Sequence, residues 1–201
     1  MKKEHWNRCF VALGLAALLL VTACTNPLTP TPSPSPTPSP TPPPQMETLT
    51  YTDSEHGFSV EYPEDWDVKA GFIATIVTFV GPFEEETGGA ININIGATKP
   101  AEFPEMKLEE YVRSFKLRVE ADAENYKELD EYNTVVDDLV AIVWTWQEDF
   151  ARTTLMVTMA FFVKEDFVYA ISYGATTELY DEYLDCFELV LSTFKFEQGI
   201  V

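Results

Sequence analysis

From Leu49 onward the chain runs mostly in the two-residue period of strands, broken twice by stretches with the 3.6-residue period of helices. Leu49 to Tyr51 predicts a first short strand. Asp53 to Gly57 is a turn in which Gly57 can take a positive φ. Phe58, Val60 and Tyr62 alternate with Ser59 and Glu61, and Pro63 ends that strand ahead of Trp66. Phe72 to Val80 is apolar on both faces and predicts a central strand. In Ala90 to Thr98, Ile91, Ile93 and Ile95 fall on one face, and Asn92, Asn94 and Gly96 on the other. Leu108 to Ala123 predicts a helix whose inner stripe is Leu108, Tyr111, Val112, Phe115 and Val119, with Glu109 and Glu110 favourably placed in its first turn.

Four strands follow. Tyr126 to Val136 is weakly patterned, and Asp137-Asp138 turns the chain. Leu139 to Gln147 places Val140, Ile142, Trp144 and Trp146 on one face, and Glu148 to Ala151 predicts the next turn. Thr153 to Val163 shows Leu155, Val157, Met159, Phe161 and Val163 on one side, and Lys164 to Asp166 turns again. In Phe167 to Gly174 the bulky face is Phe167, Tyr169, Ile171 and Tyr173, opposite Val168, Ala170, Ser172 and Gly174. A second helix spans about Thr177 to Leu191, capped by Thr176 or Thr177, with Leu179, Tyr183, Cys186, Phe187 and Val190 turned inward. Ser192 to Phe196 closes as a short strand or extended tail. Runs of strands joined by tight connections, with two late helices, define an α+β fold. Its expected form is a mostly antiparallel sheet of six or seven strands with helices on its faces.

Ahead of this domain stands a different pattern. Lys2, Lys3 and Arg8 precede Phe10 to Val21, twelve residues with nothing polar. Spanning a bilayer takes about 20 apolar residues, so the run reads as an export signal. Val21, Thr22, Ala23 and Cys24 resemble the bacterial lipobox. That resemblance implies cleavage before Cys24, a diacylglycerol on its sulfur and an acyl chain such as palmitate on its new amine. The expected organisation is a signal peptide over 1–23, a lipidated Cys24 with a Pro/Ser/Thr-rich linker over 24–45, and a globular domain over 46–201. One acyl chain binds a membrane marginally, and two or three bind it stably. In the linker, alternating Thr-Pro and Ser-Pro favour extended polyproline II, so twenty residues reach roughly 60 Å. The segment reads as a spacer or as a proline-rich docking ligand.

Charge narrows the partners. The chain has 33 acidic and 13 basic residues; loss of Glu4, Lys2, Lys3 and Arg8 with the signal leaves 32 and 10, a net charge of −22. Such a chain is no partner for nucleic acid and does not lie flat on an anionic bilayer. Of three cysteines only Cys186 stays in the domain, where it falls on a helix stripe as an apolar filler, leaving no disulfide to form.

Candidate chemistry is sparse. His56 is the one mature histidine, and Asp53 and Ser54 beside it form a turn without a nucleophile motif, so no catalytic residue and no zinc site is assigned. Glu84, Glu85 and Glu86, with Asp65 and Asp67, are either solvated loop residues or oxygen ligands for Ca²⁺ or Mn²⁺. Asn92, Asn94, Thr158, Ser172 and Gly174 are small or polar strand residues that either let a helix approach closely or floor a groove. Trp144 and Trp146 read as core. No cofactor is implied.

The opening YTDSEHGFSVEYPEDWDV, the helix LEEYVRSF and the ending ATTELYDEYLDCFELVLSTFKF are similar to the PsbP-like superfamily over Leu49 to Phe196. The resemblance implies an α/β/α sandwich, shared with a photosystem II subunit, a Ran-binding import factor and assorted bacterial lipoproteins. It carries over no site residue. The expectation is a non-enzymatic lipoprotein on the outer side of a cell membrane, serving an envelope protein partner. The alternative is a lipoprotein that binds a small molecule or a divalent cation.

Overall fold

The computed structural model describes residues 46–84, 89–101 and 105–197. Cys24 and the linker lie outside them, as do Glu85 and Glu86. Ten strands and two helices follow in the order β1 (Thr48–Asp53), β2 (Phe58–Pro63), β3 (Asp67–Ala70), β4 (Thr75–Glu84), β5 (Gly89–Thr98), α1 (Leu108–Asp122), β6 (Glu124–Val136), β7 (Leu139–Phe150), β8 (Thr153–Lys164), β9 (Phe167–Thr176), α2 (Tyr180–Thr193) and β10 (Lys195–Phe196). The central layer is a fully antiparallel seven-stranded sheet in the order β3-β4-β5-β9-β8-β7-β6. A second sheet, β1-β2-β10, was not foreseen from the alternation. It forms because the closing residues Lys195 and Phe196 pair with Ser59 and Phe58 rather than joining the larger sheet.

The two faces of the central sheet hold separate cores. On one face α2 and β2 cover Val77, Phe79, Ile91, Ile93, Ile95, Phe162, Ile171 and Tyr173. Phe58 stacks on Phe194 with ring centroids 5.0 Å apart, tying the small sheet to the end of α2. On the other face Leu108, Tyr111, Val112, Phe115 and Val119 of α1 pack on Ile142, Trp144, Trp146, Phe161 and Val168. Both helix stripes are those set by the 3.6-residue period. Trp144 and Trp146 are core, 0 % and 4 % exposed.

Four local expectations change. Phe72 and Ile73 do not enter a central strand: they are 82 % and 90 % exposed at the turn between β3 and β4. The short strand β3, exposed at every position, carries no burial signal in its sequence, and its pairing moves the start of β4 to Thr75. β4 is therefore second from the sheet edge. The strand β7 runs to Phe150 rather than turning at Glu148, because backbone pairing needs no burial: Glu148 pairs with Leu155, Asp149 with Thr154 and Phe150 with Thr153. Neither Thr176 nor Thr177 caps α2. Thr176 still belongs to the β9 ladder opposite Leu155, a turn intervenes, and Leu179 takes the N-cap position without a side-chain cap bond. Thr158 faces α2, not α1, as described below. The turn at Asp137-Asp138 holds, with both residues at positive φ (46° and 64°), as two-residue hairpins require.

Candidate functional site

α1 covers only half of its face of the sheet. The cause lies in the strands. β7 and β8 present Trp144, Trp146 and Phe161 toward α1, whereas β5 presents Asn92, Asn94 and Gly96. A helix gains by sitting on the aromatic half, where burial of an aromatic side chain is worth about 1.5–3 kcal/mol. Among the described residues no helix lies over β4 and β5 on this face, and Thr78, Asn92, Asn94, Ser172 and Gly174 are all half-buried. Of the two readings of the small residues, the floor of a groove describes Asn92, Asn94, Ser172 and Gly174, because α1 packs on the large side chains of β7 and β8 and not over these positions.

That floor is a connected polar surface. The Thr78 hydroxyl donates to Asn94 Oδ1 at 2.8 Å. Asn94 Nδ2 donates to Asn92 Oδ1 at 2.7 Å and to Ser172 Oγ at 3.3 Å. A groove of about 240 Å³ runs between this floor and α1, walled by Tyr111 and Phe115 and rimmed by Ala74 and Thr75. Tyr111 and Phe115 read from sequence as core stripe alone. Their second role depends on where β5 lies, which helical periodicity does not encode. Register sets the breadth of the floor: Asn94 faces Ser172, and Asn92 faces Gly174.

Lys116 fixes α1 in place. Its Nζ lies 2.9 Å from Glu128 Oε1, donates also to Glu131 Oε2, and sits 5.1 Å from the Trp144 ring centroid. Burial lowers the affinity of this amine for its proton, but the two carboxylates outweigh that and hold its pKa above the usual lysine value.

The other sequence candidates are placed elsewhere. Thr158 points to α2, bonding the Tyr180 hydroxyl and, at 2.7 Å, the Thr145 hydroxyl. The reason is register: Thr158 pairs with Tyr173, a residue of the α2-side core. The Asp53 carboxylate caps the turn that holds His56, whose backbone N–H donates to Asp53 Oδ1 at 2.7 Å and whose Nδ1 lies 3.0 Å from the same oxygen. A cleft of about 790 Å³ beside it is lined by Glu55, Asp137, Glu165, Glu197 and Lys164, with no serine, threonine or cysteine among its lining residues. Asp65 and Asp67 are exposed, and among the described residues no group of three His, Cys, Asp or Glu is placed to hold a metal ion. A larger cleft, about 820 Å³, lies at the C-terminal end of α1 between Arg118, Asp122, Glu148 and Asp149.

Two of these residues titrate in a testable way. Burial raises the Asp53 carboxyl, but hydrogen bonds from His56 and from the Tyr51 hydroxyl outweigh it and hold the pKa below 3.8. A carboxyl depressed on folding stabilises above its unfolded pKa and stops doing so as pH falls through its folded one. Asp53→Asn is therefore expected to be less stable than the parent at neutral pH, with the gap closing below about pH 4. Parallel urea titrations at pH 7 and pH 3 check this, and an equal gap at both would contradict it. Burial, reinforced by Asp65 and Asp185, pushes the Cys186 thiol up to about 11. Cys186 is 5 % exposed, so native protein is expected to resist alkylation that goes to completion in denaturant. Equal labelling rates in both would contradict it.

The sequence profile of the family described as PsbP-like protein matches residues 39–196. No curated protein matches the sequence significantly. The fold is similar to cyanobacterial PsbP (CyanoP) of Synechocystis sp. PCC 6803, with a TM-score of 0.56 and 13% identity over 79% of this chain and 97% of that one. LpqN of Mycobacterium tuberculosis, described as involved in cell envelope biogenesis, gives 0.57 at 12% identity over 76% and 92%. The Ran-binding protein Mog1p of Saccharomyces cerevisiae gives 0.50 at 13% over 76% and 96%.

Proposed function

The chain belongs to the PsbP-like family, and on that footing we propose that it is a non-enzymatic binding domain, tethered outside the cytoplasm by lipid on Cys24, that docks an envelope protein partner. The observation that carries this reading is the open half-face beside α1. Its polar groups are already hydrogen-bonded to one another, and an aromatic wall stands along one side. Such a surface accepts a partner without first having to order itself, which lowers the entropic cost of binding. The lipobox-like Val21 to Cys24 and the proline-rich stalk supply the tether and its reach. An envelope setting for LpqN, a protein of the same fold, is in keeping with this.

Mass spectrometry of the native protein tests the tether: residues 1 to 23 absent and an acyl mass on Cys24 are expected, and an intact N-terminus overturns it. Crosslinking in native membranes tests the partner, with one reproducible species expected and none counting against the reading. A second reading, a small-molecule binder, draws on the lining of the groove, whose aromatic wall and polar floor suit a small ligand with hydrogen-bonding groups. In its divalent-cation form it predicts heat with Ca²⁺ or Mn²⁺ in calorimetry, and silence at millimolar metal removes that form.

A further inference from the structure

Acidic residues are dense along this chain except in two stretches. Of the 33, none falls within 68–83 and none within 89–101. The topology sets these stretches side by side, because the first holds most of β3 and β4, the second holds β5, and β4 pairs with both β3 and β5. One edge of the central sheet therefore carries Lys69 and Lys99, with carboxylates only at the far ends of its strands, Asp67 opening β3 and Glu84 closing β4, on a chain of net charge −20. Lys99 shares its charge with Asp166, Nζ to Oδ2 3.0 Å.

At the turn of this edge stand the two most exposed large apolar side chains among the described residues, Phe72 and Ile73. The turn is well braced. Gly71 N–H donates to Ile76 O at 2.9 Å, Thr75 N–H to Phe72 O at 3.2 Å, and Ala97 N–H to Ala74 O at 3.0 Å. Ile73 sits at φ 60°, a conformation that disfavours a β-branched residue and that glycine or asparagine would accept more easily. Core packing does not explain an isoleucine there, since it touches none of the core.

We propose that this turn enters a lipid surface, with Phe72 and Ile73 passing between headgroups and Lys69 lying at headgroup level. The inference rests on the tether reading. A bilayer bearing anionic lipid repels the acidic remainder of the domain and leaves this edge as the side that can approach. Two apolar side chains bind weakly on their own, but a lipid-anchored domain is held near the surface at high effective concentration, where weak contacts suffice. The domain then rests edge-on, although its net charge forbids it to lie flat.

The test uses the full mature protein with its lipid, reconstituted into vesicles of phosphatidylcholine with phosphatidylglycerol. A nitroxide is placed at Ile73→Cys or Phe72→Cys, and on the opposite sheet edge at Val135→Cys. Collision with oxygen and with a water-soluble nickel chelate reads depth. Labels at 72 and 73 are expected to gain oxygen accessibility and lose nickel accessibility, while the label at 135 stays as in water. Nickel accessibility at 72 and 73 equal to that at 135, in protein firmly bound to the vesicles, would overturn the insertion and leave the tether standing. Protection appearing only when a second membrane protein is added would overturn it in favour of a protein contact. Protein that leaves the vesicles altogether would overturn both.

Discussion

Trp144→Ala is expected to lower the unfolding free energy by about 3–5 kcal/mol, the range for emptying a buried aromatic site. Trp144 is fully buried and stacks on Trp146 at 4.0 Å. The edge of Phe115 meets it from α1, and Lys116 lies over its ring. Removing the indole thus opens a cavity and also takes away the platform on which α1 rests. Trp144→Phe separates the contributions. The buried indole N–H makes no well-formed hydrogen bond, interacting only with the Tyr126 hydroxyl, and leaving a donor poorly satisfied costs about 1–3 kcal/mol. Phenylalanine discards that donor while filling much of the space, so its loss is expected to be well under half that of alanine. Urea midpoints at constant m-value give both numbers. A loss below about 1 kcal/mol for alanine would show that α1 is not held through this site.

The next largest effect separates two glycines on the same open face. A Cβ on Gly96 would stand 2.5 Å from the Ala74 carbonyl oxygen, a backbone atom held in place by the Ala97 N–H. A Cβ on Gly174 meets nothing within 4 Å. Gly96→Ala is expected to cost about 1–3 kcal/mol through forced backbone movement. Gly174→Ala is expected to be neutral or to gain up to about 1 kcal/mol, because alanine has less freedom to lose on folding. Thermal unfolding of the two variants side by side checks this. A costly Gly174→Ala would mean that something covers the face.

The fold was legible where one face of an element is buried and the other is not. Ile91, Ile93 and Ile95, the α1 stripe, the α2 stripe and the Asp137-Asp138 turn all follow from period and turn chemistry. Legibility ended where pairing is carried by backbone alone. Asp67 to Ala70 forms β3 with every side chain exposed, and Asp149 and Phe150 extend β7 in the same way. The apolar character of Phe72 and Ile73 pointed inward, and local geometry turned them outward. The site was half legible. Asn92, Asn94, Ser172 and Gly174 sort by alternation, but Thr158 went to the wrong face because strand register across β8 and β9 is a tertiary property. Which half of the sheet α1 would leave open depended on the sum of aromatic residues on β7 and β8, visible only once those strands were neighbours.

Gly174→Trp tests whether the open face beside α1 is the surface that binds the partner. A Cβ at this position meets nothing within 4 Å, and its neighbours across the strands on the open floor are Val157 and Asn92. Crosslinking of parent and variant in native membranes, with unfolding midpoints measured alongside, gives the result. The expected outcome is an unchanged midpoint and loss of the crosslinked partner. Full partner capture by a folded Gly174→Trp protein would contradict the assignment of this face to binding.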